Sequence, residues 1–466
     1  MNIVNKSFEN IYFLGIGGIG MSAIARYFLH EGYRVAGYDR TATPLTRELE
    51  RIGAEIHYDD DPEFIPEAMR SADNTLVVLT PAIPADHKEW AWLRERGFRI
   101  EKRSKMLGYL SEGKLGMAVA GTHGKTTTST LAAWLNHAAA SEGSAFLGGI
   151  SCNFASNLVL GEGRRLVVEA DEYDRSFLRL SPDIAVITAT DADHLDIYGT
   201  PEAMVEAFEQ FASQIKRGGA LILKQGVKLN FNTSERELYR YSCDNGGDFH
   251  AENIELIEGG KYRYDVVLPD GRIEGCTLGI LGKVHIENSI AAVAMLWCAA
   301  RIEGKALDYD KVRRALADFA GVKRRMEVYV NTEKQVYIDD YAHHPEELRS
   351  TIVSLRGIFP GRRLTAIFQP HLYTRTRDFA TEFAESLSLA DEVILVPIYP
   401  AREEPIEGVT SEMIGEMLTV EWMMAEREEL EALLRERATD VVVTFGAGNI
   451  DVVCSGVAEV LREKSK

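Results

Sequence analysis

Met117-Ala118-Val119-Ala120-Gly121-Thr122-His123-Gly124-Lys125-Thr126-Thr127-Thr128 is the stretch on which the reading of this chain turns. The apolar run predicts a buried strand over 117–120, and the residues after the turn predict a helix over 126–140. A glycine-bracketed turn between strand and helix aims backbone N–H groups at an anion, and the helix dipole adds partial positive charge at the same place. In that setting Gly121, Thr122, His123 and Gly124 would wrap a nucleotide polyphosphate. Lys125 would neutralise its outer phosphates, Thr126 would place a hydroxyl on Mg²⁺, and Thr127 would sit beside it. The full phosphate-loop pattern asks for glycine where this chain has Val119, so the loop is a shortened variant. The expected ligand is a nucleotide polyphosphate.

At 466 residues the chain exceeds one ordinary core, and its length suggests about three domains. A net charge of −19 argues against nucleic acid or an anionic membrane as partner, since either would need a basic surface. No start resembling a signal peptide and no run of about 18 apolar residues is present, so stable membrane insertion is not expected and the protein is read as cytoplasmic. Cys152, Cys243, Cys276, Cys298 and Cys454 are scattered without metal-site spacing and read as reduced thiols. The oligomeric state, monomer or dimer, is left open by the sequence.

The chain divides into three segments, 1–113, 114–324 and 325–466. The first opens with a strand over 11–14, then Gly15-Ile16-Gly17-Gly18-Ile19-Gly20, a helix to His30, and a strand over 34–38 ending at Asp39. Gly15, Gly17 and Gly20 with an acid about 20 residues on form a dinucleotide fingerprint. The physics specifies only a diphosphate at a helix N-terminus, and a nucleotide sugar carries one as well as NAD does. An NAD-dependent oxidoreductase is thus the rival class, but it leaves the phosphate loop and the acidic clusters below unexplained. The second segment alternates apolar strands (166–169, 184–188, 220–223) with helices such as 201–217, which implies a parallel sheet. Between 254 and 280 an alternating pattern around Pro269-Asp270-Gly271 predicts a small antiparallel ribbon, and a helix is expected over 286–300. The third segment has apolar strands at 336–338, 364–368, 393–396 and 441–445, giving another α/β unit. Its charge-rich stretch 426–437 reads as a solvated helix face.

Two acidic clusters follow strands of the second segment: Glu169-Ala170-Asp171-Glu172-Tyr173-Asp174 and Asp191-Ala192-Asp193-His194-Leu195-Asp196. Carboxyl ends of parallel strands are where such sheets bind ligands. Hard carboxylates with one imidazole suit Mg²⁺ or Mn²⁺ on phosphate oxygens, and Glu169 and His194 are the first choice of ligands. In the third segment Asp339-Asp340-Tyr341-Ala342-His343-His344-Pro345 and Phe368-Gln369-Pro370-His371-Leu372-Tyr373-Thr374-Arg375-Thr376-Arg377 also follow strands. Their histidines and arginines suit a small carboxylate and phosphate charge. Gly446-Ala447-Gly448-Asn449 is a further glycine turn after a strand, open to a close ligand approach.

Seven of these motifs, taken in order, resemble the ATP-dependent Mur ligases of peptidoglycan precursor synthesis: Gly15 to Ala25, Ala120 to Thr128, Glu169 to Phe177, Asp191 to Asp196, Asp339 to Pro345, Phe368 to Arg377 and Gly446 to Ile450. The resemblance covers essentially the whole chain. It implies a Rossmann-like N-terminal domain, a central phosphate-loop ATPase domain with a parallel sheet and a small antiparallel ribbon, and a C-terminal Rossmann-like α/β domain closing over ATP and an amino acid. Gly15, Gly17, Gly18, Ile19, Gly20 and Asp39 would then serve a UDP-sugar rather than NAD. Asn288, Arg325 and Asp340 would join the phosphate loop on ATP, and Thr126, Glu169 and His194 would hold the metal. His344, His371 and Arg375 would face the incoming amino acid, and Lys125, His194, His344 and Arg375 would stand at the reacting groups. The implied reaction joins L-alanine to the lactyl carboxylate of UDP-N-acetylmuramate by way of an acyl phosphate. A recycling relative that adds a tripeptide to the same sugar nucleotide is the alternative, and the Phe368 to Arg377 motif favours the single residue. The base for the amine stays open among His194, His344 and solvent. Two departures from the family pattern stand out: His285 occupies the first Asn position of the motif ending in Asn288, and Leu372 stands where some relatives have Arg.

Overall fold

A computed structural model of the chain describes residues 8–141, 143–191, 195–244, 246–401 and 403–466. Its first sheet contains β1 (Asn10–Leu14), β2 (Arg34–Tyr38), β3 (Glu55–His57), β4 (Thr75–Leu79) and β5 (Arg99–Lys102), in the order β3-β2-β1-β4-β5 and parallel throughout. Every residue of β1 and β4 is buried, as continuous apolar runs with helices on both faces require. The strand order reverses at β1, so its carboxyl end opens on Gly15 at the topological switch point.

The second sheet is built from β6 (Leu115–Ala120), β7 (Ser144–Ser151), β8 (Ser156–Val159), β9 (Arg165–Glu169), β10 (Ile184–Ile187), β11 (Ala220–Lys224) and β12 (Glu237–Tyr241). Its order is β12-β11-β10-β6-β9-β7-β8, parallel except for the β7–β8 hairpin. β6 lies in the middle, which puts the loop after it between the ends of β9 and β10. Between this sheet and the last, β13 (His250–Ile257), β14 (Lys261–Leu268) and β15 (Gly271–Thr277) form a three-stranded sheet where the alternating pattern predicts a ribbon. The helix Val284–Ile302 follows. The last sheet comprises β16 (Glu327–Asn331), β17 (Val336–Asp340), β18 (Leu364–Phe368), β19 (Glu392–Leu395), β20 (Glu421–Met424) and β21 (Val441–Phe445), in the order β16-β17-β21-β18-β19-β20. Only the β16–β17 pair is antiparallel.

The α/β architecture with parallel sheets agrees with the expectation, and so do its central strands. Strands with polar or mixed sequences, such as β3, β5 and β12, lie at sheet edges and carry no long apolar run. The helix expected to run to Arg217 stops at Ser213; it starts on Thr200, whose side chain caps Ala203 N–H, with Pro201 in the first turn. In the stretch 426–437, Leu430 and Leu434 are buried, so this helix has a packed face as well as a solvated one. Cys276, Cys298 and Cys454 are buried free thiols, as expected of reduced core cysteines. Among the described residues no helix is long and apolar enough to cross a membrane.

Two compact units partition the chain. One takes the chain up to Glu252 with Asp265–Cys276 and Glu287–Phe319, and so holds the first two sheets; the other takes Asn253–Tyr264, Thr277–Ile286 and Ala320–Lys466.

A buried polar cluster under the first sheet makes stability depend on pH. Glu89 is fully buried and accepts from the Tyr12 hydroxyl at 2.6 Å, while that hydroxyl lies 2.8 Å from His57 Nε2. Burial pushes the Glu89 carboxyl from about 4.5 up to about 8. The folded state thus holds a proton that the unfolded chain releases, and stability should fall as pH rises through that window. His57 and His87 are lowered by burial and act with the opposite sign, but below their ordinary pKa of about 6.5. The interval from about pH 7 to 8 therefore separates the carboxyl from these imidazoles. Calorimetry across it should show the parent's Tm falling and that of Glu89→Gln staying flatter; equal slopes would remove Glu89 as the cause.

Candidate active site

In the first unit the strand β6 delivers the chain into the phosphate loop, and the helix Lys125–Ala140 leaves it from Gly124, whose φ of 78° places it in the left-handed region. Gly121 has φ 126°, and a methyl group there would lie 2.2 Å from Thr188 Oγ1 and 2.8 Å from Ala189 N, so only glycine lets the loop cross the end of β10. The Thr188 hydroxyl donates to Ala120 O at 3.2 Å and to His123 O, and Thr122 N–H donates to Ala189 O at 3.2 Å. The loop's shape is thereby set by the neighbouring strand before any ligand arrives. Asn288 is buried beside it, its Oδ1 3.0 Å from where a Gly124 side chain would begin.

Lys125 Nζ donates to Gly121 O and to Glu172 Oε1, each at 2.7 Å. Glu172 is almost wholly buried, and burial pushes its carboxyl up while Lys125 pulls it down, with a net rise. This partner of the loop lysine was not singled out from sequence; the doubled acids around position 170 were the available signal. Glu169, at the end of β9, accepts from Thr126 Oγ1 at 3.1 Å, Ser129 Oγ at 3.3 Å and Gly148 N at 3.1 Å. Gly148 is a clearance rather than a turn: a methyl group there would lie 2.2 Å from Glu169 Oε1. Thr126 and Glu169, expected to share a metal, thus come together. His194, the third expected ligand, lies outside the described residues. No cluster of three or more His, Cys, Asp or Glu suited to a metal occurs among the described residues. His123 is exposed, with Nε2 4.0 Å from Asp191 Oδ2. Thr127 is buried in the first helical turn.

The glycine loop of the first sheet lies in the same unit. Gly15 N and Ile16 N donate to Tyr38 O, and Gly17 N donates to Asp39 Oδ2 at 2.7 Å. Asp39, expected on the ligand, is therefore tied to the loop itself, because the end of β2 brings its carboxylate against the Gly17 amide. Gly18 and Ile19 are exposed at the start of the helix Ile19–His30, and Arg103 packs against Gly20 while its Nη2 donates to Asp171 Oδ2 at 3.0 Å. Ile19, Gly20, Arg103, Gly148, Glu169 and Asp171 line one cavity of about 100 Å³. The β7–β8 hairpin spans it: Gly148 on β7 holds Glu169, and Asn157 on β8 donates to Ile19 O at 2.5 Å and to Ser22 Oγ at 2.9 Å.

In the second unit β17, β18 and β21 deliver three motifs to their carboxyl ends. His343 Nδ1 lies 3.0 Å from Tyr341 O, and its ring centre is 6.0 Å from that of His371. His371 stacks on Tyr399, and Arg375 Nη1 lies 3.5 Å from His371 Nδ1. His344 points elsewhere: it caps the helix Pro345–Ile358 and sets its ring on Phe379. The pair in the sequence is therefore split, and His343 rather than His344 joins His371 and Arg375. Burial lowers the His343 pKa, so its imidazole is neutral near pH 7. Asp340 is buried, accepts from Ala342 N at 3.1 Å and Thr351 Oγ1 at 2.9 Å, and is pushed by burial to about 6. Each of its oxygens thus has one partner within this unit. Arg325 lies over the Tyr341 ring. Its neighbour Arg324, not foreseen as a site residue, donates to Asp339 Oδ2 at 3.2 Å, to Gly448 O at 3.1 Å and to Gly446 O, and so fastens the glycine turn to β17. His285 is buried, and burial lowers it to about 4; it is a neutral packed residue.

Comparison with known proteins bears on this geometry. Family patterns described as Mur ligase family, catalytic domain, as Mur ligase middle domain and as Mur ligase, glutamate ligase domain match residues 10–114, 119–296 and 324–448. The chain is 49% identical to the UDP-N-acetylmuramate–L-alanine ligase of Phocaeicola vulgatus, covering 98% of this chain and 99% of that one. It is 48% identical to the protein of the same name from Parabacteroides distasonis, over 97% of both. Among solved structures it is similar to the UDP-N-acetylmuramate–alanine ligase of Thermotoga maritima, with a TM-score of 0.81, 27% identity, and 98% of this chain and 100% of that chain covered. The murein peptide ligase of Psychrobacter arcticus shares the fold, with a TM-score of 0.66 at 23% identity over 97% and 98% of the two chains.

Proposed function

The chain belongs to the Mur ligase family, and from that premise we propose that it joins L-alanine to the lactyl carboxylate of UDP-N-acetylmuramate at the expense of ATP, in peptidoglycan precursor synthesis. It is an ATP-dependent amide-forming ligase. One observation carries the reading of the site: the start of the glycine-loop helix and the Glu169 carboxylate line a single cavity. A sugar nucleotide whose diphosphate sits on Gly15 to Gly20 would thereby reach toward the phosphate loop. The segments 1–113, 114–324 and 325–466 would serve UDP-sugar, ATP and amino acid in turn, and the cytoplasm, where ATP is kept, would be the enzyme's place.

A lactyl carboxylate oxygen would attack the γ-phosphorus, ADP would leave, and the acyl phosphate formed would be opened by the amine of L-alanine with loss of phosphate and a proton. Lys125 would neutralise the transferring phosphoryl group, and the loop amides would hold its oxygens. Thr126 Oγ1 and Glu169 Oε1, hard oxygens 3.1 Å apart, suit Mg²⁺ or Mn²⁺, with His194 as a further ligand. Bound there, the ion would neutralise charge on the phosphate oxygens. His371 and Arg375 would receive the amino-acid carboxylate, with His343 beside them. Asp39 Oδ2, which accepts from Gly17 N at 2.7 Å, would order the glycine loop around the diphosphate.

Purified protein should form ADP only when ATP, UDP-N-acetylmuramate and L-alanine are all present. Equal ADP formation without the sugar nucleotide would defeat the reading. A tripeptide preferred to L-alanine in the same assay would select the recycling alternative.

A further inference from the structure

Leu372 stands between His371 and Arg375 with φ 73° and ψ 135°, a backbone region that residues with a Cβ avoid because that atom crowds the neighbouring peptide groups. The conformation is held from both sides. Leu372 N–H donates to Tyr399 O at 3.0 Å, and Leu372 C=O accepts from Thr376 N at 3.1 Å and Thr376 Oγ1 at 2.8 Å. On the near side, Tyr399 N–H donates to Pro370 O at 2.8 Å, and His371 forms a parallel bridge with Tyr399. On the far side begins the helical turn Tyr373–Asp378, which carries Arg375. One residue thus joins an extended, sheet-like contact to a helical turn, and the reversal there brings Arg375 Nη1 to 3.5 Å from His371 Nδ1.

We infer that Leu372 is a positioning residue for the amino-acid pocket and that it acts through its backbone conformation, not its side chain. The inference rests on the reading that His371 and Arg375 receive the carboxylate of L-alanine. Two substitutions separate backbone from side chain. Leu372→Ile keeps the volume but adds β-branching, which makes positive φ least tolerable. Leu372→Gly removes the side chain and tolerates the conformation.

The experiment measures KM for L-alanine, KM for UDP-N-acetylmuramate and Tm in the full-length parent, Leu372→Ile, Leu372→Gly and, as a control, Arg375→Ala. Isoleucine should raise KM for L-alanine by about tenfold, while the sugar-nucleotide KM holds. Glycine should raise it by no more than about threefold, with Tm at or above the parent's. A series in which glycine is damaged as much as or more than isoleucine, or in which both match the parent, overturns the inference. If the isoleucine variant does not fold, glycine decides: retained KM and Tm support the inference, and a lowered Tm overturns it. An Arg375→Ala control that leaves the KM for L-alanine unmoved overturns instead the assignment of the pocket, so the two failures are told apart.

Discussion

Lys125→Ala is expected to lower kcat by about 10² to 10³, the usual loss when one donor to developing charge is removed. The lysine leaves the first position of the phosphate-loop helix, and its Nζ is fixed at 2.7 Å from both Gly121 O and Glu172 Oε1, so its charge is placed in advance. Sequence alone predicts that the substitution costs catalysis far more than folding. The structure amends the second half, because Glu172 is 1% exposed and the substitution would leave its carboxylate buried opposite a methyl group. Breaking a buried pair from one side typically costs about 3–5 kcal/mol, less here to the extent that Glu172 takes up a proton. The variant's Tm should therefore fall along with its rate. Lys125→Ala combined with Glu172→Gln should recover Tm without recovering turnover. Single-turnover rates with calorimetry on both proteins check this, and a double variant with restored turnover would assign the lysine a structural role.

Arg375→Ala should raise the KM for L-alanine by about 10- to 150-fold, the equivalent of one charge-assisted contact of about 1.5–3 kcal/mol. Arg375 lies on a short helical turn whose start is pinned by Leu372 and Glu403: Thr374 N donates to Glu403 Oε2 at 3.0 Å. Its guanidinium lies at His371 and position 372 is a leucine, so Arg375 would be the cation offered to the carboxylate there. The glycine loop belongs to the other compact unit, and the KM for the sugar nucleotide should hold. Initial rates with each substrate varied in turn give both constants. An effect confined to the sugar would reassign the pocket.

Much of the site was legible because it is local. A strand, a glycine turn and a helix are contiguous, so the positions of Gly121 to Thr126 follow from their spacing, and Glu169 follows from its place at the end of an apolar strand. What escaped depends on tertiary contact or on parity. His343 and His344 are adjacent in an extended loop, and their side chains diverge; which one faces His371 depends on where the helix cap falls, since Glu347 accepts from both their backbone amides. Asp39 carries a motif's usual acid, yet its partner is an amide 22 residues away. The backbone of Leu372 has no sequence signal, because nothing about leucine announces positive φ. Edge strands such as β3 and β5 are short and rich in charged residues, as edges exposed to solvent can be.

The β7–β8 hairpin has a thermodynamic consequence. It touches Glu169 through Gly148 and the first turn of the glycine-loop helix through Asn157, and so it is shared between the two proposed binding sites. A ligand that shifts the hairpin from one side changes affinity on the other, and linkage obliges the two changes to be the same factor in both directions. A free energy of coupling between the two ligands would then pass in part through this hairpin. Residues that touch no substrate, Asn157 foremost, would set how strongly one substrate reports the presence of another.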